Sequence, residues 1–285
     1  MLLIIGWVIV IAVVFGGFVV SGGHLAALLH PVKLLMIVGA AFGAFVASSS
    51  PAALKAAAKA VPLALKGSKY PRKVYLDLLC LLYDLLNKIR KDGLISIEDH
   101  VERPAESAIF QAYPGLASNH VLVDFICDYL RMMVSGSMDP HEMESLMDQE
   151  LETHHQENHI PVDLLTKMGD SMPAFGIVAA VMGVVLTMSS LHLPPTELGP
   201  MIGAALVGAF VGILFGYAII GPIPVAIQQR QLDETKALEA IKATLLATAG
   251  GSAPAVAVEH GRKVVFHAVR PSFSELEEAV RAPRG

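Results

Sequence analysis

The stretch GPMIGAALVGAFVGILFGYAIIGP, residues 199–222, contains no charged side chain. A helix needs about 20 mainly apolar residues to cross the hydrocarbon core of a bilayer, and this stretch is long enough. Three further stretches of similar character are MLLIIGWVIVIAVVFGGFVVSGG from Met1, PVKLLMIVGAAFGAFVASSS at about 31–50, and SMPAFGIVAAVMGVVLTMSSLHL at about 171–193. The sequence therefore predicts four transmembrane helices in two pairs, with a short link inside each pair.

The overall composition agrees with a membrane protein. Hydrophobic residues make up 54% of the 285 residues, charged residues only 16%, and the formal net charge is −5. Such a charge gives no basic field for nucleic acid. The first stretch lacks a basic leader and a small-residue cleavage site, so we expect an uncleaved span. Cys80 and Cys127 stand in no zinc or CxxC pattern, and we expect free thiols.

Basic residues near the ends of the spans predict the orientation. Lys33 is the only lysine or arginine in the two short links, whereas the segments after the second and fourth spans are rich in these residues. These basic residues are Lys55, Lys59, Lys66, Lys69, Arg72, Lys73, Arg230, Lys236 and Lys242. We therefore expect both termini to lie on the cytoplasmic side of the membrane. The predicted segments are spans 1 and 2 at 1–50, a cytoplasmic helical domain at 51–170, spans 3 and 4 at 171–222, and a cytoplasmic tail at 223–285.

The cytoplasmic segments have helical patterns. Leu76–Lys91 places leucines at spacings of three and four, and Asp92-Gly93 ends that helix. Asp139 and Pro140 begin a helix at 140–155, Ser272 and Glu275 form a capping box, and Leu232–Ala247 prolongs the fourth span. Only residues 255–269 show an alternation that would suit a hairpin. The predicted fold class is all-α: a polytopic membrane protein with four transmembrane helices and a helical cytoplasmic domain.

The spans lack ionisable groups where an ion carrier needs them. No Asp, Glu, Arg or His lies in the middle of any span, although such groups usually mark ion paths. Either a partner supplies the ionisable group or the chain is a passive anchor. Gly208, Gly212 and Gly216 form a repeated GxxxG face that predicts close helix packing, within the chain or between copies.

Two prolines stand at the cytoplasmic ends of the third and fourth spans, Pro173 and Pro222. Proline removes a helical hydrogen bond and kinks the helix axis. The prolines are therefore either hinges or simple points at which helices leave the bilayer.

Several longer stretches carry a family resemblance that covers nearly the whole chain. These are DSMPAFGIVAAVMGVV at 170–185, ELGPMIGAALVGAFVGILFGY at 197–217, FICDYLRMMVSGSMDPHEMESLMDQELETH at 125–154 and VEHGRKVVFHAVRPSFSELEEAVR at 258–281. They resemble the MotA family of flagellar motor stator subunits, within the MotA/TolQ/ExbB proton channel superfamily. The resemblance implies a bacterial inner-membrane location and a homo-oligomeric ring, a pentamer, around a MotB dimer that supplies the protonatable aspartate. It also makes Pro173 and Pro222 candidates for coupling ion passage to movement.

The segment NKIRKDGLISIEDHVERP, residues 87–104, is the charged knuckle of this otherwise apolar chain. In the resembled family, the charges matching Arg90 and Glu98 contact the rotor protein FliG. A simpler account is that Arg90 ends one helix, Ser96 caps the next, and Glu98 lies in its first turn, where the helix macrodipole favours these signs. Glu150 also falls in a matched stretch, and either a rotor contact or a solvated helix face suits it.

The resemblance also bears on the transported ion. Sodium-driven relatives tend to carry threonine hydroxyls where this chain has Ala180 and Ala209, and an alanine offers no hard ligand. We expect protons, with no cofactor.

Three alternative functions are considered. An ExbB or TolQ-like energiser of an outer-membrane system is opposed by the four spans and by Arg90 and Glu98. A passive scaffold is the second, and a solute transporter would need a polar midplane site, which the spans lack. The sequence contains no recognised catalytic motif. His154, His155 and His159 fit a solvent-exposed helix end better than a metal site. Trp7 is expected to face lipid or the interface.

Overall fold

The computed structural model describes residues 2–67, 69–136 and 139–282, and these residues are almost entirely helical. The α-helices are α1 Leu2–Val20, α2 Pro31–Ala47, α3 Pro51–Ala64, α4 Arg72–Asp92, α5 Glu98–Glu102, α6 Ala108–Gln111, α7 Pro114–Ala117, α8 His120–Ser135, α9 Pro140–Met188, α10 Pro195–Ile213, α11 Pro222–Ala249, α12 Pro254–Val264 and α13 Phe273–Arg281. Two 3-10 turns, Leu25–Leu28 and Leu94–Ile97, and a π-helical segment, Leu214–Ile220, complete the list.

The four predicted spans are confirmed. The stretches Leu2–Val20, Leu25–Ala47, Pro140–Met188 and Pro195–Ala249 are each long and apolar enough to cross a membrane. The predicted helix at 140–155 and the third span are not separate elements, because α9 runs unbroken for 49 residues with Pro161 and Pro173 inside it. The chain is therefore an all-α, multi-pass membrane protein.

The chain forms two compact units. The first comprises residues 2–67 and 157–230, and the second comprises the described residues of 69–156 and 231–282. This division follows contacts, whereas the predicted segments 1–50, 51–170, 171–222 and 223–285 were placed at the expected membrane surface. Those limits stay a prediction.

The first unit exposes apolar side chains along its spans. Leu2 is 85% exposed, Val13 67% and Val185 64%. Water would penalise such a surface, whereas lipid or neighbouring copies can cover it. Inside the unit, α3 buries small residues against spans: Ala57 and Ala64 pack with Val162, Leu165, Ile223 and Ile227. Arg230 donates to the carbonyl oxygens of Leu63 and Gly67 at the end of α3.

The second unit is built around α4. One face of this helix is fully buried, and α12, α13 and the Leu94–Ile97 turn pack against it. The helix ends at Gly93, whose positive φ of 86° ends the helix as predicted. Cys80 and Cys127 are both free and buried, as expected, and burial raises the pKa of the Cys127 thiol to about 12.

The sequence interpretation of residues 255–269 is wrong. Residues 254–264 form the helix α12 and not a hairpin strand, because Pro254, Ala257, Val258, Gly261 and Arg262 share one buried face at helical spacing. The alternation of small and polar residues in AVAVEHGRKVV obscured this period, since buried glycine and arginine read as exposed positions. The predicted capping box is confirmed: Ser272 and Glu275 bond reciprocally at the start of α13.

We predict that Gly261→Ala destabilises the second unit. A methyl group on Gly261 would lie 2.2 Å from Oγ1 of Thr244 and 2.7 Å from the carbonyl oxygen of Ala240, on α11. Overpacking of this kind costs about 1–3 kcal/mol. Thermal unfolding of the detergent-purified protein should show a lower midpoint than for Gly115→Ala, where the added methyl group meets nothing within 4 Å. Equal midpoints would contradict the packing described for α12.

Candidate functional site

Glycines allow α9 and α10 to approach at backbone distance in the first unit. A methyl group on Gly212 would lie 2.6 Å from the carbonyl oxygen of Met172, and one on Gly176 would lie 2.9 Å from the carbonyl oxygen of Gly208. Gly208, Gly212 and Gly216 are all buried. The sequence left open whether this stripe packs within the chain or between copies, and the structure shows contacts within the chain.

The π-helical segment continues this packing towards Pro222. A methyl group on Gly216 would lie 2.7 Å from the carbonyl oxygen of Gly169 and 2.8 Å from Cδ of Pro173. Pro173 therefore contacts the segment that ends two residues before Pro222. The glycine face and Pro173 therefore form one continuous region of α9, α10 and the π-helical segment, and Pro222 follows that segment in the chain.

Pro222 explains why the helix changes its register here. Proline has no amide hydrogen, so Pro222 cannot donate to the carbonyl of Ala218 as an α-helix requires. The preceding turn instead follows an i→i−5 pattern, in which the amide of Gly221 donates to the carbonyl oxygen of Gly216 at 2.8 Å. Such π-bulges are rare and occur frequently at functional sites. Pro222 thus begins α11, while Pro173 lies inside α9 and not at its start.

Trp7 contacts the same segment. Its indole N–H donates to the carbonyl oxygen of Ile219 at 3.1 Å, and its ring packs with the buried cluster that contains Ile223. The expectation of a merely lipid-facing or interfacial tryptophan is therefore incomplete. A tryptophan on an apolar helix gave no sign of its partner, since the two residues are 212 positions apart in the sequence.

Ala180 and Ala209 flank the close contact of α9 with α10. A methyl group on Gly208 would lie 3.1 Å from the amide nitrogen of Ala180, and one on Gly176 would lie 3.4 Å from Cα of Ala209. Both alanines are partly exposed. Neither side chain carries an oxygen that could hold a cation, and the Thr187 hydroxyl is buried and donates to the carbonyl of Gly183.

The charged knuckle lies in the second unit and forms a tight helical corner. Arg90 and Lys91 occupy the last turn of α4, and Glu98 occupies the first turn of α5, as predicted. The predicted cap is wrong: the hydroxyl of Ser96 donates to the carbonyl oxygen of Gly93 at 2.6 Å, and Ile97 is the N-cap residue without a side-chain bond. Ser96 therefore fastens the Leu94–Ile97 turn instead of capping α5.

Among the described residues, most charges of the knuckle have partners and three do not. Within the described residues, the side chains of Arg90, Lys91 and Glu98 make no hydrogen bond or ion pair, and all three residues are exposed. Their neighbours are paired as Lys88–Asp92, Arg103–Asp99, Arg103–Glu106 and Arg131–Glu102. The helix macrodipole explains the signs of the unpaired charges. The macrodipole does not explain why, within the described residues, these three side chains form no ion pair with the neighbouring charges.

Glu150 is different from these charges. Its Oε2 accepts a hydrogen bond of 2.7 Å from the hydroxyl of Tyr129, which ties α9 to α8. Burial, followed by this carboxylate, raises the pKa of Tyr129 and keeps the phenol protonated as the donor. Glu150 thus has a partner within the chain. Among the described residues, no group of three His, Cys, Asp or Glu side chains could hold a metal ion.

Comparisons with known proteins give the family. The profile of the Motility protein A N-terminal family matches residues 4–93, and that of the MotA/TolQ/ExbB proton channel family matches residues 117–240. Motility protein A of Salmonella typhimurium is 48% identical over 284 residues, which cover 100% of this chain and 96% of the relative. Motility protein A of Escherichia coli is 46% identical, covering 99% and 96%. The chemotaxis protein LafT of Vibrio parahaemolyticus is 35% identical, covering 99% of each.

Solved structures support the fold. The C. jejuni MotAB structure has a TM-score of 0.77 at 20% identity, covering 93% of this chain and 95% of that one. The flagellar MotAB stator complex from Bacillus subtilis has a TM-score of 0.72 at 22% identity, covering 90% and 92%. The full-length sequence similarity, supported by this shared fold, shows that the chain belongs to the motility protein A family, within the MotA/TolQ/ExbB proton channel proteins.

Proposed function

We propose that this chain is a stator subunit of the bacterial flagellar motor, which works with a MotB-type partner to convert proton flow into torque. The observation that carries the proposal is the contact of Pro173 with Gly216, in the π-helical segment that ends just before Pro222. A break in helical register at such a place allows a small shift in one span to change the direction of the helix that follows it.

The partner supplies the titrating group in this proposal. No acid lies in the middle of the spans, so the proton binds to an aspartate of the MotB-type partner. Protonation removes the charge of that aspartate and so changes its interaction with the α9–α10 face. Copies of this chain form a ring, a pentamer in the proposal, around the partner. Alternation between charged and neutral aspartate then moves the ring around the partner.

The ion is a proton in this proposal, because Ala180 and Ala209 offer no oxygen ligand at the positions where sodium-driven relatives carry threonine. We expect a protonophore to stop rotation promptly, and replacement of sodium by potassium in the medium to leave the speed unchanged. Tethered cells of the native host provide the measurement. A speed that follows sodium concentration and resists the protonophore would overturn the choice of ion.

The chain is oriented with the charged knuckle in the cytoplasm and both termini inside. The basic residues of α3 and of the turn after it support this orientation, since Lys55, Lys59 and Lys66 are exposed and follow the second span. The knuckle is then on the side of the membrane where the rotor lies. Arg90 and Glu98 contact complementary charges of FliG, whereas Glu150 serves the structure through Tyr129. We therefore leave Glu150 out of the rotor contact.

Charge reversal tests the rotor contact. We expect Arg90→Glu combined with Glu98→Lys to abolish or strongly reduce rotation while membrane abundance and association with the partner stay at wild-type levels. Both side chains are exposed and make no bond within the described residues, so their reversal breaks no contact there and costs only about 0.3–1 kcal/mol of helix-dipole energy at each position. Lys263→Glu combined with Glu278→Lys, an equal change on exposed residues of α12 and α13, is the control. Normal motility of the knuckle variant would remove the rotor contact from the proposal.

An energiser of the ExbB or TolQ kind is the nearest alternative, since the matched proton channel family includes such proteins. The four spans and the unpaired charges of the knuckle favour the flagellar function. Proton flux that requires a co-expressed partner would separate both from a passive scaffold.

A further inference from the structure

The apex of the charged knuckle presents an apolar side chain to solvent. Ile95 is 76% exposed, which is the highest value among the large apolar side chains of the second unit's described residues, and the adjacent Leu94 is 38% exposed. Single exposed apolar residues are common on protein surfaces and need no explanation by themselves. Ile95 differs because of its rigid support and its charged surroundings.

The turn that carries Ile95 is held firmly. Gly93 starts it with a φ of 86°, and the hydroxyl of Ser96 donates to the carbonyl oxygen of Gly93. Ile97 and Val101 are 0% and 1% exposed and fix the turn to the core of the second unit. The direction of Ile95 is therefore set before any partner arrives, which lowers the entropy cost of binding.

The surroundings of Ile95 are those of an interface. Arg90 and Lys91 precede it in the last turn of α4, Glu98 follows it in the first turn of α5, and within the described residues none of these three charges is paired. Interfaces commonly combine an apolar centre with a charged rim, and a few central residues carry most of the binding energy. The rim charges give registration and steering.

We infer that Ile95 is the central apolar contact of the rotor-binding surface, an inference that rests on the proposed function. The partner surface has an apolar groove that receives Ile95, with Leu94 at its margin. It carries acidic side chains on the side of Arg90 and Lys91, and basic side chains on the side of Glu98. Charge contacts alone would rely on exposed ion pairs, which are weak and screened by salt. An apolar anchor lets the contact persist at the ionic strength of the cytoplasm.

The test is rotation and motor localisation of full-length variants in the native host. We expect Ile95→Asp to stop rotation and to remove the fluorescently tagged complex from motors, since it places a charge at the centre of the contact. Ile95→Ala should weaken the contact about tenfold, the loss expected for a central interface residue, and so lower speed at high load. Ile95→Leu keeps an apolar side chain at this position and should show wild-type rotation and localisation. Val256→Asp and Val256→Ala, on the exposed face of α12 where Val256 is 50% exposed, are the matched controls.

The outcomes separate this inference from the proposed function. Rotation and localisation of Ile95→Asp equal to those of Val256→Asp would overturn the inference, while loss of rotation in the Arg90 and Glu98 reversal would leave the rotor contact standing. Normal rotation of Ile95→Asp and of the Arg90 and Glu98 reversal would overturn both the inference about Ile95 and the proposed rotor contact. If Ile95→Asp failed to accumulate in the membrane, the comparison of Ile95→Ala with Ile95→Leu would decide, and equal behaviour of that pair with the wild type would overturn the inference.

Discussion

Replacing Pro222 with leucine should stop flagellar rotation while the complex with the partner remains in the membrane at wild-type abundance. Leucine supplies the amide hydrogen that Pro222 lacks, so the carbonyl of Ala218 regains an α-helical donor. The i→i−5 bond between Gly221 and Gly216 then competes with a continuous α-helix. The π-helical segment beside Pro173 is lost, and with it the proposed link between the spans and α11.

A matched proline separates this effect from a general one. Pro195 also begins a helix, α10, but an extended residue precedes it, and its missing amide hydrogen would be unsatisfied in any case. Pro195→Leu should therefore leave swimming unchanged. Rotation speed of tethered cells and the amount of membrane complex are the two readouts. Normal swimming of Pro222→Leu would return Pro222 to a simple helix-exit role.

Replacing Gly212 with valine should abolish rotation by a different route, through loss of the folded complex. Valine would bring atoms to within 2.6 Å of the carbonyl oxygen of Met172 and 2.8 Å of Cα of Gly176. Both are backbone atoms of α9, so a change of side-chain rotamer cannot relieve the clash. Overpacking costs about 1–3 kcal/mol and occasionally more, and we expect this site to reach the upper end or exceed it.

The same helix provides the control for the glycine variant. A methyl group on Gly203 would meet nothing within 4 Å, so Gly203→Val probes the cost of a β-branched residue on α10 without a clash. Complex recovered after mild detergent extraction should fall sharply for Gly212→Val and stay near the wild type for Gly203→Val. Equal recovery of the two would contradict the close packing of α9 with α10.

The main helices could be predicted from the sequence because each has a strong local sequence pattern. Long apolar runs predicted the four spans, and leucines at helical spacing predicted α4. Ser272 and Glu275 predicted the start of α13, because a capping box is formed by two residues only three positions apart. The hairpin at 255–269 was wrong because the buried face of α12 contains Gly261 and Arg262, residues that a hydrophobic pattern counts as exposed.

The candidate site was only partly readable, because its decisive features are long-range. The positions of Pro173 and Pro222 could be marked, but the contact of Pro173 with Gly216 and the bond from Trp7 to Ile219 depend on how the spans pack. The lack of partners for Arg90 and Glu98 among the described residues also required the structure, since the sequence could not show that nearby charges pair with one another instead. The bond of Glu150 to Tyr129 also depends on how α9 packs against α8, and the sequence does not show that packing.

The central claim is that this chain generates torque and is not needed to build the flagellum. The most direct measurement is rotation of tethered cells after deletion of its gene in the native host, with filaments counted by microscopy. We expect full-length but motionless flagella, with rotation restored by the gene on a plasmid. Continued rotation of the deletion strain, or a loss of filaments together with rotation, would contradict it.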